Sequence, residues 1–211
     1  MADEIRLTEI DASNIDLHTR LHANDKCLFL FEYTSGQGYS FSATNDLISN
    51  LKKKPGQPGQ YYKNQAISRC AGYLRTALDG LWLDQATLVP VPPSKSADHP
   101  EYDNRMVRIC QLIRPNLDVR AIVRQTQSIA AAHEVGVGER PSVEDLLQVY
   151  EIDEAQALPG PKVIGIFDDV LTAGTHYRAM QIKLSERYPG VPIFGIFIAR
   201  RVFATSDFEE L

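Results

Sequence analysis

Residues 163–180 read VIGIFDDVLTAGTHYRAM, and no other stretch restricts the fold as tightly. Val163, Ile164, Ile166 and Phe167, with Gly165 among them, form a short apolar run without alternation, the pattern of a strand buried on both faces. A sheet keeps such a strand in its middle. Asp168 and Asp169 follow at once, at the carboxyl end, where open α/β sheets place their ligand crevices. Residues 171–176, LTAGTH, then supply consecutive backbone N–H groups, two threonine hydroxyls and a glycine free to adopt positive φ, all where a helix starts. That is a cradle for phosphate. The two carboxylates cannot favour the same phosphate, because like charges repel. They suit the hydroxyls of a sugar that carries it, or waters on Mg²⁺. Adjacency therefore points to a sugar phosphate. Without that chemistry, the same residues make a strand, a turn and a helix capped by Asp169, with Asp168 solvated.

At 211 residues the chain suits one α/β domain, with residues 1–84 as an amino-terminal and hood segment and 85–211 as the core that carries the site. A net charge of -5 argues against general polyanion binding, so nucleic acid is not an expected partner. A membrane is not expected either. No apolar run approaches the length of a span, and residues 1–14 are too polar and acidic for a signal peptide. Cys27, Cys70 and Cys110 lie far apart, which suggests neither a CxxC metal site nor a disulfide framework. They read as small buried hydrophobes in a reducing compartment, and a cytoplasmic location is expected.

Pattern divides the chain further. Residues 27–33 (CLFLFEY) read as a strand before the Gly-rich turn TSGQGYS. Residues 45–54 read as a helix capped by Asn45 and ended by PGQPGQ. Ile67, Ala71, Leu74 and Leu78 give a core-facing helix over 65–81. Residues 87–92 (TLVPVP) form a short strand, 103–113 a helix, LLQVYEI at 146–152 a strand, and 193–201 the closing strand. Strand and helix alternate in the second half, which predicts βαβ units and a mostly parallel sheet flanked by helices.

In order and without a gap, IGIF, DD, VL and TAGT resemble the phosphoribosyl pyrophosphate (PRPP) loop of the type I phosphoribosyltransferases; orotate phosphoribosyltransferases carry a similar DDVITAGT. In layout the chain is most similar to ComF-like members. The resemblance implies a type I phosphoribosyltransferase-like α/β fold. It implies that Thr172, Ala173, Gly174 and Thr175 hold the 5-phosphate, and that Asp168 and Asp169 hold the ribose hydroxyls and, through water, Mg²⁺. It also implies an earlier diphosphate loop, which LVPVPPSKS at 88–96 would supply through Ser94 and Lys95. Such loops often contain a cis peptide, for which Val91–Pro92 and Pro92–Pro93 lower the cost. Arg124, Thr126, Ser128 and Arg140 match a third, mobile element, from which Arg140 would reach the leaving diphosphate.

Two departures stand out. ComF-like chains often begin with a four-cysteine zinc element, and this one has no cysteine pair to form it. The family's hood and acceptor contacts have no clear counterpart, although Tyr33, Tyr39, Phe41, Tyr61 and Tyr62 offer aromatic surface. His176 stands in the phosphate turn, while His18, His22, His99 and His133 show no ligand spacing. The resemblance implies an enzyme that transfers ribose 5-phosphate from PRPP to a small nitrogenous acceptor, with Asp168, Asp169 and Lys95 catalytic and Mg²⁺ as cofactor. Members of the family commonly form homo-oligomers. A different class remains open: a non-catalytic PRPP or nucleotide sensor, or a ComF-like accessory to DNA uptake. For the last, Lys52, Lys53 and Lys54, with the run KKKPGQPGQYYK that continues to Lys63, are the only candidate basic tract.

Overall fold

The apolar run becomes strand β7 (Val163–Leu171), and it lies inside a six-stranded sheet as its lack of alternation predicts. The computed structural model describes residues 5–127 and 141–204. Along the chain come β1 (Thr8–Glu9), a single 3-10 turn (Ile15–Leu17), β2 (Lys26–Thr34), α1 (Ala43–Leu51), α2 (Gln60–Ala77), α3 (Gly80–Leu83) and β3 (Ala86–Pro90). After these come α4 (Arg105–Ile113), β4 (Asp118–Val119), β5 (Val123–Gln125), α5 (Val143–Val149), β6 (Tyr150–Ile152), β7, α6 (Thr175–Arg187) and β8 (Ile193–Val202). The sheet order is β1-β2-β8-β7-β3-β4, parallel except for the two-residue edge strand β1. β5 and β6 form a separate antiparallel pair.

Helices cover both faces, as a mostly parallel sheet requires. On one face, Leu47, Ile48 and Leu51 of α1, Ile67, Cys70 and Leu74 of α2 and Ile109, Cys110 and Ile113 of α4 pack on Phe167 and Val170 of β7. On the other, Leu146 and Val149 of α5, Tyr150 of β6 and Tyr177, Met180 and Leu184 of α6 pack on Ile164 and Ile166. All three cysteines are buried and free. Gly165 is glycine for packing reasons, since a Cβ there would come within 2.8 Å of the Trp82 ring. Segment 1–84 enters the same sheet, because β2 pairs with β8 from Lys26 to Thr34.

Several boundaries differ from expectation, each for a local reason. Helix α1 is capped by Ser42, whose hydroxyl accepts from the Asn45 N–H at 3.0 Å. Asn45 is buried and pairs with both backbone groups of Thr34 instead. Helix α2 begins at Gln60, because Gly59 at φ 92° ends the turn. It stops at Ala77, because Asp79 caps the short α3 through the Trp82 N–H at 2.8 Å. The stretch LLQVYEI is half helix. Ser142 and Asp145 build a capping box that carries α5 to Val149, and only Tyr150–Ile152 is extended. Among the described residues the cis peptide is Leu158–Pro159, while Val91–Pro92 and Pro92–Pro93 are trans; proline makes cis accessible without requiring it.

Candidate functional site

β3 and β7 are parallel neighbours whose onward connections diverge. α4 follows β3 over one face, and α6 follows β7 over the other. Such a switch point leaves a crevice at the carboxyl ends of the strands. There the chain forms a cavity of about 360 Å³ lined by Ser94 and Lys95 after β3, by Asp168, Asp169, Thr172, Thr175 and His176 around the end of β7, and by Lys52 and Arg105.

The turn after β7 is shaped from behind. Gly174 is the N-cap of α6 at φ 89°, and a Cβ on it would meet Leu21 Cδ2 at 2.9 Å, so glycine is needed for both backbone and space. The Thr172 carbonyl accepts from the Nδ1 of His18, a side chain with no exposure, and the Ala173 carbonyl accepts from the Arg20 N–H at 2.8 Å. In a trans peptide the N–H lies opposite the preceding carbonyl. The Ala173 and Gly174 N–H groups therefore point away from residues 18–20. Together with those of Thr175 and His176 they donate to nothing among the described residues. Burial holds His18 below its ordinary value, so its ring is neutral. No cap hydrogen bond comes from Asp169.

The two carboxylates are unequal. Asp169 is buried, yet its Oδ2 accepts from Arg105 Nη2 at 2.6 Å and Nε at 3.1 Å, and its Oδ1 lies 3.3 Å from Lys52 Nζ. Burial alone would raise its pKa, but Arg105 and Lys52 hold it below the usual carboxylate range. Asp168 has no ion pair among the described residues, and its Oδ1 accepts from the Asp169 N–H at 2.8 Å. Burial first, and the Asp169 charge second, push it up. Behind Arg105, Asp103 accepts from Arg105 Nη1 at 2.7 Å and from the buried Lys63 at 2.6 Å; Lys63 also bonds the Lys53 carbonyl. Glu101 at the cavity wall is paired with Lys54 at 2.9 Å. With Glu101 and Asp103 matched by Lys54 and Lys63, the wall presents Lys52, Lys95 and Arg105 against Asp169 and a raised Asp168. It favours an anion.

The cavity thus brings together Ser94, Lys95, Asp168, Asp169, Thr172 and Thr175. Ser94 is further placed by its carbonyl, which accepts from Gln125 Nε2 at 2.8 Å. Arg124 is directed elsewhere, to Glu151 at 3.3 Å, because alternation along β5 turns it outward between the buried Val123 and Gln125. Thr126 bonds the Val149 carbonyl. Ser128 and Arg140 lie outside the described residues. Tyr39, Phe41, Tyr61 and Tyr62 are exposed, Tyr33 packs on the core, and none of the five lines the cavity.

No family model matches this chain, and no curated protein matches it. Its chemistry therefore rests on the residues themselves. No group of three or more His, Cys, Asp or Glu side chains converges as a metal cage among the described residues. Both oxygens of Asp169 are already engaged by cations, which leaves Asp168 as the carboxylate open to the cavity. These residues do not fit a resident, protein-ligated Mg²⁺. Sequence reasoning missed Arg105, His18 and Tyr150 as site residues, and it read Lys52 only as part of a basic tract for DNA. Arg105 stood at a helix start, an ordinary solvated position, and nothing local tied Lys52 to Asp169.

Proposed function

We propose that this protein is a phosphoribosyltransferase of the type I fold. It would transfer ribose 5-phosphate from PRPP to a small nitrogenous acceptor with release of diphosphate. The observation that carries this reading is the meeting, in one cavity at a sheet switch point, of a glycine phosphate turn, a carboxylate pair and the Ser94–Lys95 loop. The Ala173 to Thr175 N–H groups and the Thr172 and Thr175 hydroxyls suit the 5-phosphate. Asp168 suits the ribose hydroxyls, and Asp169 anchors the Arg105 and Lys52 cations at the cavity wall. Lys95, which has no ion pair among the described residues, suits the diphosphate. Mg²⁺ belongs in this reading to the substrate, carried on diphosphate oxygens with its waters toward Asp168.

In the transfer, the bond from the anomeric carbon to the diphosphate oxygen breaks and its electron pair leaves with diphosphate. The acceptor nitrogen lone pair forms the new C–N bond, and a proton bound to that nitrogen passes to water. Negative charge grows on the leaving group, so a cation beside it stabilises the transition state more than the ground state. Lys95→Ala is expected to slow diphosphate release by roughly ten- to a hundredfold, with a smaller effect on PRPP binding.

One observation favours a second reading, a PRPP or nucleotide sensor: among the described residues, none of the exposed aromatic side chains lines the cavity to stack on an acceptor base. Diphosphate release measured on wild type with purines, pyrimidines and orotate separates the two. Release with one acceptor supports the transferase. Background rates with every acceptor, alongside tight Mg-PRPP binding, would overturn it in favour of the sensor.

A further inference from the structure

Tyr150, at the start of β6, has no exposure, and its hydroxyl lies 2.7 Å from His176 Nδ1, its one partner among the described residues. Burial, with the Asp168 charge second, pushes the phenol well above its ordinary value, so the hydroxyl keeps its proton. That buried proton needs an acceptor, and Nδ1 is the one at hand. Were Nδ1 the donor, the phenolic hydrogen would be stranded. Burial also holds His176 below its ordinary value, against the pull of Asp169 and with the help of Lys52, so the ring is neutral. A neutral ring that accepts at Nδ1 carries its hydrogen on Nε2. Nε2 has no partner among the described residues and is not sealed, because His176 lines the cavity that Asp168, Asp169, Lys52, Lys95 and Arg105 also face.

We propose that His176 is a specificity-determining residue of this site. Its Nε2–H donates to a phosphomonoester on the ligand, and Tyr150 is the positioning residue that sets the tautomer. His176 is the second residue of α6, directly beyond the turn at 172–174. A phosphomonoester brings negative charge and three terminal oxygens to a side-chain donor beside the backbone N–H groups, whereas a sugar hydroxyl at the same place is a single neutral oxygen and a weaker acceptor. The site therefore selects a sugar 5-phosphate over the free sugar. This inference rests on the reading that the 172–175 turn holds a phosphate.

The test uses the full chain with ribose 5-phosphate and ribose as probes, followed by calorimetry and by ¹⁵N spectra of the histidine rings. Wild type is expected to bind ribose 5-phosphate and not ribose. His176→Ala should weaken binding by roughly ten- to a hundredfold, the range for a hydrogen bond to a charged group. His176→Gln, whose amide N–H reaches about as far as Nε2, should recover most of the loss. The spectrum should show His176 as the Nε2–H form, moving on ligand addition, and Tyr150→Phe should mix the two tautomers. Failure of wild type to bind ribose 5-phosphate would overturn the phosphate reading itself. Wild-type binding that His176→Ala leaves unchanged, or a His176 ring protonated at Nδ1, would overturn this inference alone. The spectrum decides even if the alanine variant does not fold.

Discussion

Replacing Arg105 by Met tests the charge network that organises the cavity. Met keeps most of the apolar stem and removes the guanidinium. Three hydrogen bonds go with it: two to Asp169 Oδ2 at 2.6 and 3.1 Å, and one to Asp103 at 2.7 Å. The side chains of Asp169 and Asp103 are only 7% and 12% exposed, so neither carboxylate regains much water. Stripping one partner from a buried pair costs about 3–5 kcal/mol. Here each carboxylate keeps a second cation, Lys52 at 3.3 Å and Lys63 at 2.6 Å, which brings the expectation to about 2 kcal/mol. For a chain of this size that is a fall of roughly 4–8 °C in Tm. The pH dependence has a definite sign. Asp169 is held below the usual carboxylate range, so its pairing stabilises the fold above that range and is lost as pH falls through the folded value. The penalty should be full at pH 7 and shrink in acid. Denaturant melts of wild type, Arg105→Met, Asp169→Asn and the double variant give the coupling energy. Zero coupling, or a penalty equal at pH 7 and pH 3, would refute the reasoning.

Asp168→Asn should raise Tm at neutral pH while Asp169→Asn lowers it. Burial and the Asp169 charge hold Asp168 above its ordinary value, so its ionised form weighs against the fold at pH 7 and that burden lifts as pH falls. Parallel melts of the two variants check the opposite signs. His18→Gln should cost about 1–3 kcal/mol at pH 8 by loosening the Thr172 carbonyl. Because the folded ring is held below the ordinary histidine value, the contribution of His18 is complete above about pH 6.5 and lost below it. The gap between wild type and variant should narrow at pH 5.5. Gly174→Ala, at φ 89° and 2.9 Å from Leu21, should cost at least about 1 kcal/mol and weaken ribose 5-phosphate binding in calorimetry.

What could be read in the sequence was what short segments decide by themselves. Residues 163–167 carry apolar side chains at every non-glycine position, are rich in β-branched residues and run straight into a turn, which suits a strand covered on both sides, and TAGT carries the donors and the positive-φ glycine of an anion turn. Both lie within one local stretch, so β7 and the turn after it were legible. LLQVYEI was not, because a short buried apolar run fits a helix as well as a strand, and a capping box at Ser142 and Asp145 tipped it. The division of labour between Asp168 and Asp169 was invisible for a different reason. The two have the same side chain in adjacent positions, and only the packing of α1 and α4 brings Lys52 and Arg105 to one and not the other. His18 on Thr172 and Tyr150 on His176 join positions 154 and 26 residues apart. Hydrogen bonds and charges act over a few ångströms of space, and nothing in a local string records which distant segment will occupy them. The string determined what this site is made of, and the tertiary structure decided which of its groups are charged, which are neutral and which way they face.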